Sequence, residues 1–265
     1  MTWCAADVSV SFGRTVALDA VSIAIEPGAI HAVIGGDGAG KSTLLKVVAG
    51  LDVGQAGSFD LPPSHRVGFV PSSGGYFGDL TVDENIDFVA RAYRLSTWRD
   101  RANALLHSAD LHPFGDRLAG RMSGGQRRKL AGCMALLHDP DLLVLDEVTT
   151  GVDPLSRLEL WRLIAASAAD GAAVVAATTY LDEAERTSSA TLLREGRVIA
   201  AGPPDEIIAG VSGGVDDVDV PSDRSLAWRK GRRWRQWSPA GERTGAISLE
   251  DAAIVYELMA SRDVA

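Results

Sequence analysis

A glycine-rich stretch near the N-terminus has the composition and spacing of a phosphate-binding loop. The letters GGDGAGKST satisfy the pattern G-x-x-x-x-G-K-[ST], with a short apolar run before them and helical spacing after them. Glycines allow successive backbone N–H groups to converge on phosphate oxygens, and the start of a helix adds positive potential. A purely structural turn is the alternative, which this context disfavours. The candidate nucleotide-binding residues are Gly35, Gly36, Asp37, Gly38, Ala39, Gly40, Lys41, Ser42 and Thr43.

Three side chains of this loop carry separate expectations. Lys41 would place its charge at the β- and γ-phosphate oxygens, and the hydroxyl of Ser42 would bind Mg²⁺. Asp37 is unusual here, because a carboxylate repels a polyphosphate, so we expect its side chain to point outward. The loop therefore predicts a site for a nucleoside triphosphate with Mg²⁺.

A pair of acids later in the chain complements that loop. The run LLVLDE reads as a buried strand that delivers Asp146 to the metal and places Glu147 where it can orient or deprotonate an attacking water. Two solvated acids at the end of a strand are the alternative. Together with the upstream loop, the pair predicts metal-assisted phosphoryl hydrolysis.

A second turn suited to phosphate lies in MSGGQ, where a Ser and two Gly precede a helix. The start of a helix binds anions through its free N–H groups. The candidate residues are Ser123, Gly124, Gly125 and Gln126. One chain thus holds two phosphate-binding turns far apart in sequence.

The elements that must position these residues alternate between strands and helices. AIHAVIG reads as a strand, and the helix after it reaches Gly50. Asp153 and Pro154 open a helix that runs to about residue 169, Gly171 ends it, and AAVVAATT is a further strand. Apolar strands between helices predict a parallel sheet covered on both faces, with a helical lobe inserted at residues 81–138.

The composition is that of an ordinary globular protein: 265 residues, 46% hydrophobic and 23% charged, with a net charge of −9. This charge argues against attraction of the whole surface to nucleic acid. Cys4 and Cys133 form no disulfide framework or metal motif, which fits a reducing cytoplasm. We find no signal-peptide pattern and no apolar run of about 20 residues, so we expect no membrane span.

Taken together, these motifs resemble those of the ATP-binding subunit of ABC transporters. GGDGAGKST resembles the family's Walker A motif, LLVLDE its Walker B motif, MSGGQ its signature and TTGVDP its D-loop, over about residues 5–210. The resemblance implies an α/β fold: a P-loop NTPase (RecA-like) core at residues 1–210 with a helical subdomain at about 78–138, and a small C-terminal appendage at 211–265. It also implies ATP and Mg²⁺ as ligands.

The resemblance answers the question raised by the second turn. In this family two subunits pack head to tail, and the signature of each covers the γ-phosphate held by the other. A second cassette, identical or distinct, and a separate transmembrane permease are therefore the expected partners. Phe12 matches the aromatic residue that stacks on adenine, although a half-buried strand Phe is the alternative.

Two positions depart from the family pattern. Ser72 stands where the family's Q-loop has Gln, and Thr179 stands where the switch His is usual. Ser is shorter than Gln, and Thr offers one hydroxyl and no group that titrates near pH 7. A lost hydrogen bond to a charged group costs about 1.5–3 kcal/mol, roughly 10- to 100-fold in rate. Since Glu147 is present, the sequence predicts a working but slow ATPase with Glu147, Lys41, Thr179 and Ser72 as its catalytic candidates.

The C-terminal region combines basic and aromatic residues. Such a pattern can bind nucleic acid or anionic lipid, or form a hairpin turning at Lys230-Gly231 with Trp inward and Arg outward, which we favour. Residues 211–223 read as an acidic linker, and SLEDAAIVYELMA as a helix with a Ser248/Asp251 capping box and an apolar face. The basic and aromatic residues are Arg224, Arg229, Lys230, Arg232, Arg233, Arg235 and Arg243, with Trp228, Trp234 and Trp237.

These observations favour an ATPase subunit that powers export through a separate permease, with the chain peripheral on the cytoplasmic face of the membrane. The exporter expectation rests on YLDEAE and SLED, which resemble drug-exporter subunits. Two alternatives stay open: a slowly or non-hydrolysing cassette paired with a distinct partner, and a soluble ABC ATPase not engaged in transport. We expect no nucleic-acid partner.

Overall fold

The structure is a computed structural model that describes residues 2–242 and 245–262, so Arg243 of the basic cluster lies outside the described residues. The strands are β1 (Trp3–Phe12), β2 (Thr15–Ile25), β3 (Ile30–Ile34), β4 (Ala56–Asp60), β5 (Val67–Val70), β6 (Leu142–Asp146), β7 (Ala173–Thr178), β8 (Ser189–Arg194), β9 (Arg197–Gly202), β10 (Gly214–Val218), β11 (Ala227–Lys230) and β12 (Arg233–Ser238). The helices are α1 (Lys41–Val48), α2 (Val82–Ala92), α3 (Arg99–Ser108), α4 (Gly124–Leu136), α5 (Pro154–Ala169), α6 (Leu181–Ala184), α7 (Pro204–Ala209) and α8 (Leu249–Arg262).

The central sheet has six strands in the order β5-β6-β7-β3-β8-β9, all parallel except β9. Every residue of β6 and β7 is buried. Alternate residues of β6 point to opposite faces: Leu142 and Val144 pack with α1 and the N-terminal strands, whereas Leu143 and Leu145 pack with the helical lobe. The predicted parallel sheet covered on both faces is confirmed.

A smaller antiparallel sheet, β2-β1-β4, covers α1 and was not predicted from the sequence. Its strands pair across turns and bulges, which obscure the alternation of apolar and polar residues that reveals a strand. Phe12 ends β1 and pairs with Thr15 across a turn in which Gly13 has a φ of +62°. This sheet therefore sets the position of the candidate adenine-stacking ring.

Three helices, α2, α3 and α4, with short 3-10 turns between them, occupy the region predicted as a helical lobe. Thr81 caps α2 in a capping box with Glu84. The buried amide of Asn85 exchanges hydrogen bonds with the backbone of Phe77, at 2.8 Å and 3.0 Å. The loop that leads into the lobe is thus fixed to its first helix.

The C-terminal region forms a third sheet, β10-β12-β11, with α8 packed beside it. The prediction of an acidic linker was wrong, because residues 214–218 form β10: Val215 is buried, and Asp217 forms an ion pair with Arg235 at 3.5 Å. The hairpin is confirmed, but Lys230 pairs with Arg233, so the turn lies one residue later than predicted, at Gly231 and Arg232.

The prediction that all the arginines face water was also wrong. Arg235 is buried and donates a 2.8 Å hydrogen bond to Asp251, which is fully buried. Lys230 and the indole of Trp228 donate to the same carboxylate. The predicted capping box is confirmed, since Ser248 and Asp251 exchange hydrogen bonds of 3.0 Å and 3.2 Å. Arg235, Lys230 and Trp228 therefore hold α8 onto the sheet.

No helix within the described ranges is long and apolar enough to cross a membrane.

Candidate functional site

The glycine-rich loop joins the end of β3 to the start of α1. Gly38 and Gly40 have φ values of +77° and +105°, which favour glycine. A Cβ on Gly40 would lie 2.6 Å from the carbonyl oxygen of Ala17, whereas one on Gly36 or Gly38 would meet nothing within 4 Å. A Cβ on Gly35 would lie 2.4 Å from the carbonyl oxygen of Leu193, so the loop is closely packed at Gly35 and Gly40 and open at Gly36 and Gly38. Asp37 is exposed, in line with the expectation that it points outward.

Lys41 lies at the centre of the loop and is 5% exposed. Its Nζ donates to the carbonyl oxygens of Gly35 at 2.9 Å and Gly36 at 3.1 Å, and forms an ion pair with Oε1 of Glu147 at 3.2 Å. The ammonium group is thus held between the loop and the acid that follows β6. A polyphosphate in the loop would be in reach of the same charge.

Ser42 and Asp146 provide an oxygen pair beside the lysine. The hydroxyl of Ser42 donates to Oδ1 of Asp146 at 3.0 Å, and Asp146, the last residue of β6, is 1% exposed. Mg²⁺ prefers hard oxygen ligands and is usually held by one or two protein groups together with substrate phosphates. Among the described residues, no group of three or more His, Cys, Asp or Glu could hold a metal ion. Ser42 and Asp146 fit a Mg²⁺ that phosphates complete.

Glu147 has a backbone φ of +52°, in the left-handed region that non-glycine residues rarely adopt. Its N–H donates to the carbonyl oxygen of Ala177 on the neighbouring strand at 3.2 Å. Such a conformation costs about 1–3 kcal/mol and is found most often where function requires it. The turn directs the carboxylate to Lys41 instead of letting the chain continue as a strand.

The strand order brings the remaining candidates to one edge of the sheet. Strands β5, β6, β7 and β3 are parallel neighbours, so their carboxyl ends meet at the same edge. Ser72, Glu147, Thr179 and Gly35 follow these four strands in that order. Both Ser72 and Thr179 have exposed side chains. The structure thus arranges the catalytic candidates along one row, with the two departures from the family pattern on either side of Glu147.

The side chain of Thr179 borders a cavity of about 440 Å³. Gly35 and Gly36 line the same cavity, and Ile254 and Leu258 of α8 form its apolar wall. His31 lies on β3, the strand that leads into Gly35. It is buried, and burial lowers its pKa to about 4. Since His31 hydrogen-bonds to Ser189 and Thr191, it is committed to the sheet and does not replace the switch histidine.

The signature residues lie at the start of α4. The hydroxyl of Ser123 accepts a hydrogen bond from the N–H of Gln126 at 3.2 Å, and the Gln126 side chain accepts one from the N–H of Ser123 at 3.0 Å. A Cβ on Gly125 would lie 2.4 Å from Oγ of Ser156, whereas one on Gly124 would meet nothing within 4 Å. Gly124 is therefore the open position of this turn.

The two phosphate-binding turns do not meet within the described part of one chain. Lys41 and Glu147 line a cavity of about 310 Å³ whose walls include no signature residue. Gly124 borders a different pocket, of about 180 Å³, which it shares with Tyr76 and Gly151. A phosphate at Lys41 and one at Gly124 would therefore occupy separate places.

One buried acid near this edge was missed by sequence reasoning. Glu183 on α6 is 2% exposed and accepts hydrogen bonds from the hydroxyls of Thr149 at 3.0 Å and Thr178 at 2.5 Å. It stands beside Asp182, which is half exposed. Nothing in the letters LDEAER shows which of the adjacent acids turns inward.

Comparisons with known proteins agree with this geometry. A model of the family described as ABC transporter matches residues 18–150. The chain is 37% identical over 201 residues to the probable multidrug ABC transporter ATP-binding protein YbhF of Escherichia coli (strain K12), covering 71% of this chain and 35% of that protein. It is 35% identical over 231 residues to the Nod factor export ATP-binding protein I of Ralstonia nicotianae, covering 82% of this chain and 72% of that protein.

Among solved structures, a dimeric bacterial ABC transporter cassette matches with a TM-score of 0.68 and 25% identity, covering 77% of this chain and 98% of that chain. The chain spans about a third of the length of the Escherichia coli relative and nearly three quarters of the Ralstonia relative. The family model, over residues 18–150, covers both the phosphate-binding loop and the two acids at the end of β6.

Proposed function

This chain belongs to the ABC transporter family as an ATP-binding cassette, and from that premise we propose that it hydrolyses ATP, with Mg²⁺, to power export through a separate membrane permease. The observation that carries the proposal is the cluster of Lys41, Ser42, Asp146 and Glu147, joined by contacts of 3.0 Å and 3.2 Å. The relatives are named for multidrug transport and Nod factor export, which favours transport over a soluble role.

Each residue of the cluster has one task in this proposal. Lys41 holds the β- and γ-phosphates, because hydrogen bonds to two carbonyl oxygens fix its ammonium group inside the loop where the phosphates would lie. Ser42 and Asp146 hold Mg²⁺, which supplies charge neutralisation on the phosphates when bound. Glu147 orients the attacking water and accepts its proton, a contribution of about 10²- to 10⁴-fold. Phe12, 54% exposed at the end of β1, is free to stack on adenine.

Turnover is slow in this proposal because Ser72 and Thr179 are shorter than the groups usual in the family. A Thr hydroxyl supplies one hydrogen bond and cannot span the distance that an imidazole covers. Each missing contact to a charged oxygen lowers the rate by roughly 10- to 100-fold. Binding of ATP depends on the loop and is retained.

The active unit is a pair of cassettes arranged head to tail, identical or distinct. Gly124 is open, and its pocket is separate from that of Lys41, so a phosphate held by another copy has room to approach the signature. The matched solved structure of a cassette is itself dimeric. In this arrangement ATP favours the closed pair, and hydrolysis reopens it.

The permease docks on the helical lobe in this proposal. Phe77 and Phe88 are each 47% exposed and form an edge-to-face pair with ring centroids 4.6 Å apart. Asn85 fixes the backbone of Phe77, so the pair is preorganised. Exposed aromatic pairs are typical of protein interfaces.

We assign residues 1–210 to the cassette and 211–265 to an appendage, with the complex on the cytoplasmic face of the membrane.

The test is Glu147→Gln in the purified full chain. We expect the steady-state rate of ATP hydrolysis to fall at least about 100-fold, because the amide cannot accept a proton. We expect ATP to bind at least as tightly, since Lys41 loses the carboxylate with which it is paired.

The matched control is Glu195→Gln, because Glu195 also has a positive φ, of +48°, but its side chain is exposed and does not line the cavity of Lys41 and Glu147. The control should hydrolyse ATP at the rate of the unmodified chain. If Glu147→Gln and Glu195→Gln retain equal rates, Glu147 is not the reacting group and the proposal fails.

A further inference from the structure

The carboxylate of Glu183 joins two loops that leave adjacent strands of the central sheet. Thr149 belongs to the loop after β6, and Thr178 ends β7; both hydroxyls donate to Oε2 of Glu183. All three side chains are at most 3% exposed. A charged or polar group at this depth is costly unless it is hydrogen-bonded, so the contacts are strongly held.

Each of these loops carries a residue of the proposed reaction. Thr149 lies two positions after Glu147, whose carbonyl oxygen accepts the N–H of Thr150 at 3.2 Å. On the other side, the hydroxyl of Thr178 accepts the N–H of Tyr180 at 3.0 Å, which closes a turn around Thr179. Glu183 therefore acts on the backbone positions of both Glu147 and Thr179.

The second oxygen of Glu183 extends this control to a third element. Oε1 lies 3.7 Å from Nε of Arg157 on α5, the helix that follows the D-loop. Oε1 is buried and accepts no hydrogen bond in the described structure. The carboxylate thus also faces the start of α5, but its hydrogen bonds are to the two threonines.

From this geometry we infer that Glu183 is a positioning residue for ATP hydrolysis: it holds Glu147 and Thr179 in register through Thr149 and Thr178. The inference rests on the proposed function. A threonine hydroxyl lies close to its backbone, so its position depends on the backbone more than that of a histidine imidazole does. A fixed backbone at Thr179 therefore explains how this short side chain can take part in ATP hydrolysis.

The experiment compares Glu183→Gln and Thr149→Val in the full chain, measuring kcat, KM for ATP and Tm. Gln replaces the charged acceptor of both threonine hydroxyls with a neutral amide oxygen, to which hydrogen bonds are roughly half as strong, and Val has the shape of Thr without its hydroxyl. We expect kcat to fall about 10- to 100-fold in both variants, while KM for ATP changes less than about threefold.

The double variant gives a readout that a general loss of stability would not reproduce. Both changes act through one carboxylate, so their effects should overlap. We expect kcat of the double variant Glu183→Gln with Thr149→Val to lie within about threefold of the slower single variant, well above the value that multiplying the two single effects gives. The control is Thr187→Val, which removes a buried hydroxyl that donates to backbone carbonyl oxygens outside this network. The control should retain kcat.

Three outcomes would overturn the inference. The variants could hydrolyse ATP at the unmodified rate, or kcat, ATP affinity and Tm could fall together, which would mean that Glu183 only supports the fold. The third outcome is that Glu147→Gln does not lower the rate of ATP hydrolysis below that of the unmodified chain. In that case the proposed function itself fails, and the role of Glu183 fails with it.

Discussion

At the scale of single residues, Thr179 is the position that we expect to limit turnover. Its side chain borders the 440 Å³ cavity beside Gly35 and Gly36, so a larger side chain fits there without displacing the sheet. We expect Thr179→His to raise kcat by about 10- to 100-fold, because an imidazole reaches a phosphate oxygen that the hydroxyl does not. Steady-state kinetics at neutral pH measure the change.

Thr179→Val is the control for this substitution, since it removes the hydroxyl and adds no donor. It should be no faster than the unmodified chain. A rate for Thr179→His that does not exceed the unmodified rate would show that this contact does not limit turnover.

Sequence reasoning located Lys41, Ser42, Asp146 and Glu147 because their spacing is fixed by local geometry: one loop and one strand end. The structure brings these four together, and their roles remain predictions that the variants test. Glu183 could not be found in this way. Its importance comes from burial and from two threonines 34 and 5 residues away, which only the tertiary structure brings together.

At the scale of elements, the contact between α8 and the third sheet depends on Asp251. Burial alone would raise the pKa of this carboxyl, but hydrogen bonds from Arg235, the Ser248 N–H and Lys230 lower it from 3.8 to about 2. A carboxyl with a lowered pKa in the folded state stabilises that state above its unfolded pKa. This contribution disappears as the pH falls from about 4 towards 2.

We expect Asp251→Asn to lower the free energy of unfolding by about 3–5 kcal/mol at pH 7, because Arg235 loses its buried partner. The difference from the unmodified chain should stay constant between pH 5 and 7 and shrink by about 2 kcal/mol on approach to pH 2. Urea unfolding at several pH values measures this. Asp219→Asn, at an exposed position paired with Arg233, should unfold like the unmodified chain at each pH. A difference that does not change with pH would contradict the assignment.

Elements with a local signal at both ends were predictable. Helix α5 begins after Asp153 and ends at Ala169, as expected from its cap and the following glycine. Strand β10 was not, because its acidic residues resemble a linker until Arg235 on β12 pairs with Asp217. A strand stabilised by distant partners carries little signal of its own.

At the scale of the whole molecule, we propose that a second cassette supplies the signature turn, because the two phosphate-binding turns of one chain lie in separate pockets. Gly124 is exposed and open, and an Asp in the first turn of a helix favours the helix, so Gly124→Asp should leave Tm unchanged. Its carboxylate would repel a phosphate that approaches from a partner. In a Glu147→Gln background, we therefore expect Gly124→Asp to abolish ATP-dependent pairing, measured by light scattering.

Gly245→Asp adds the same charge at another open, exposed glycine and should pair like the parent. Equal pairing by Gly124→Asp and its parent would mean that the signature does not face the partner's nucleotide.

Ile34, the residue that leads into the phosphate-binding loop, lies in one apolar cluster with Trp237 and Val255 of the C-terminal region. Shortening the chain at residue 210 would remove the C-terminal residues that cover this side of β3 and would expose a continuous apolar surface to water. The shortened protein should therefore precipitate instead of surviving as a minimal catalytic fragment, and anyone preparing this cassette for assays should keep its tail.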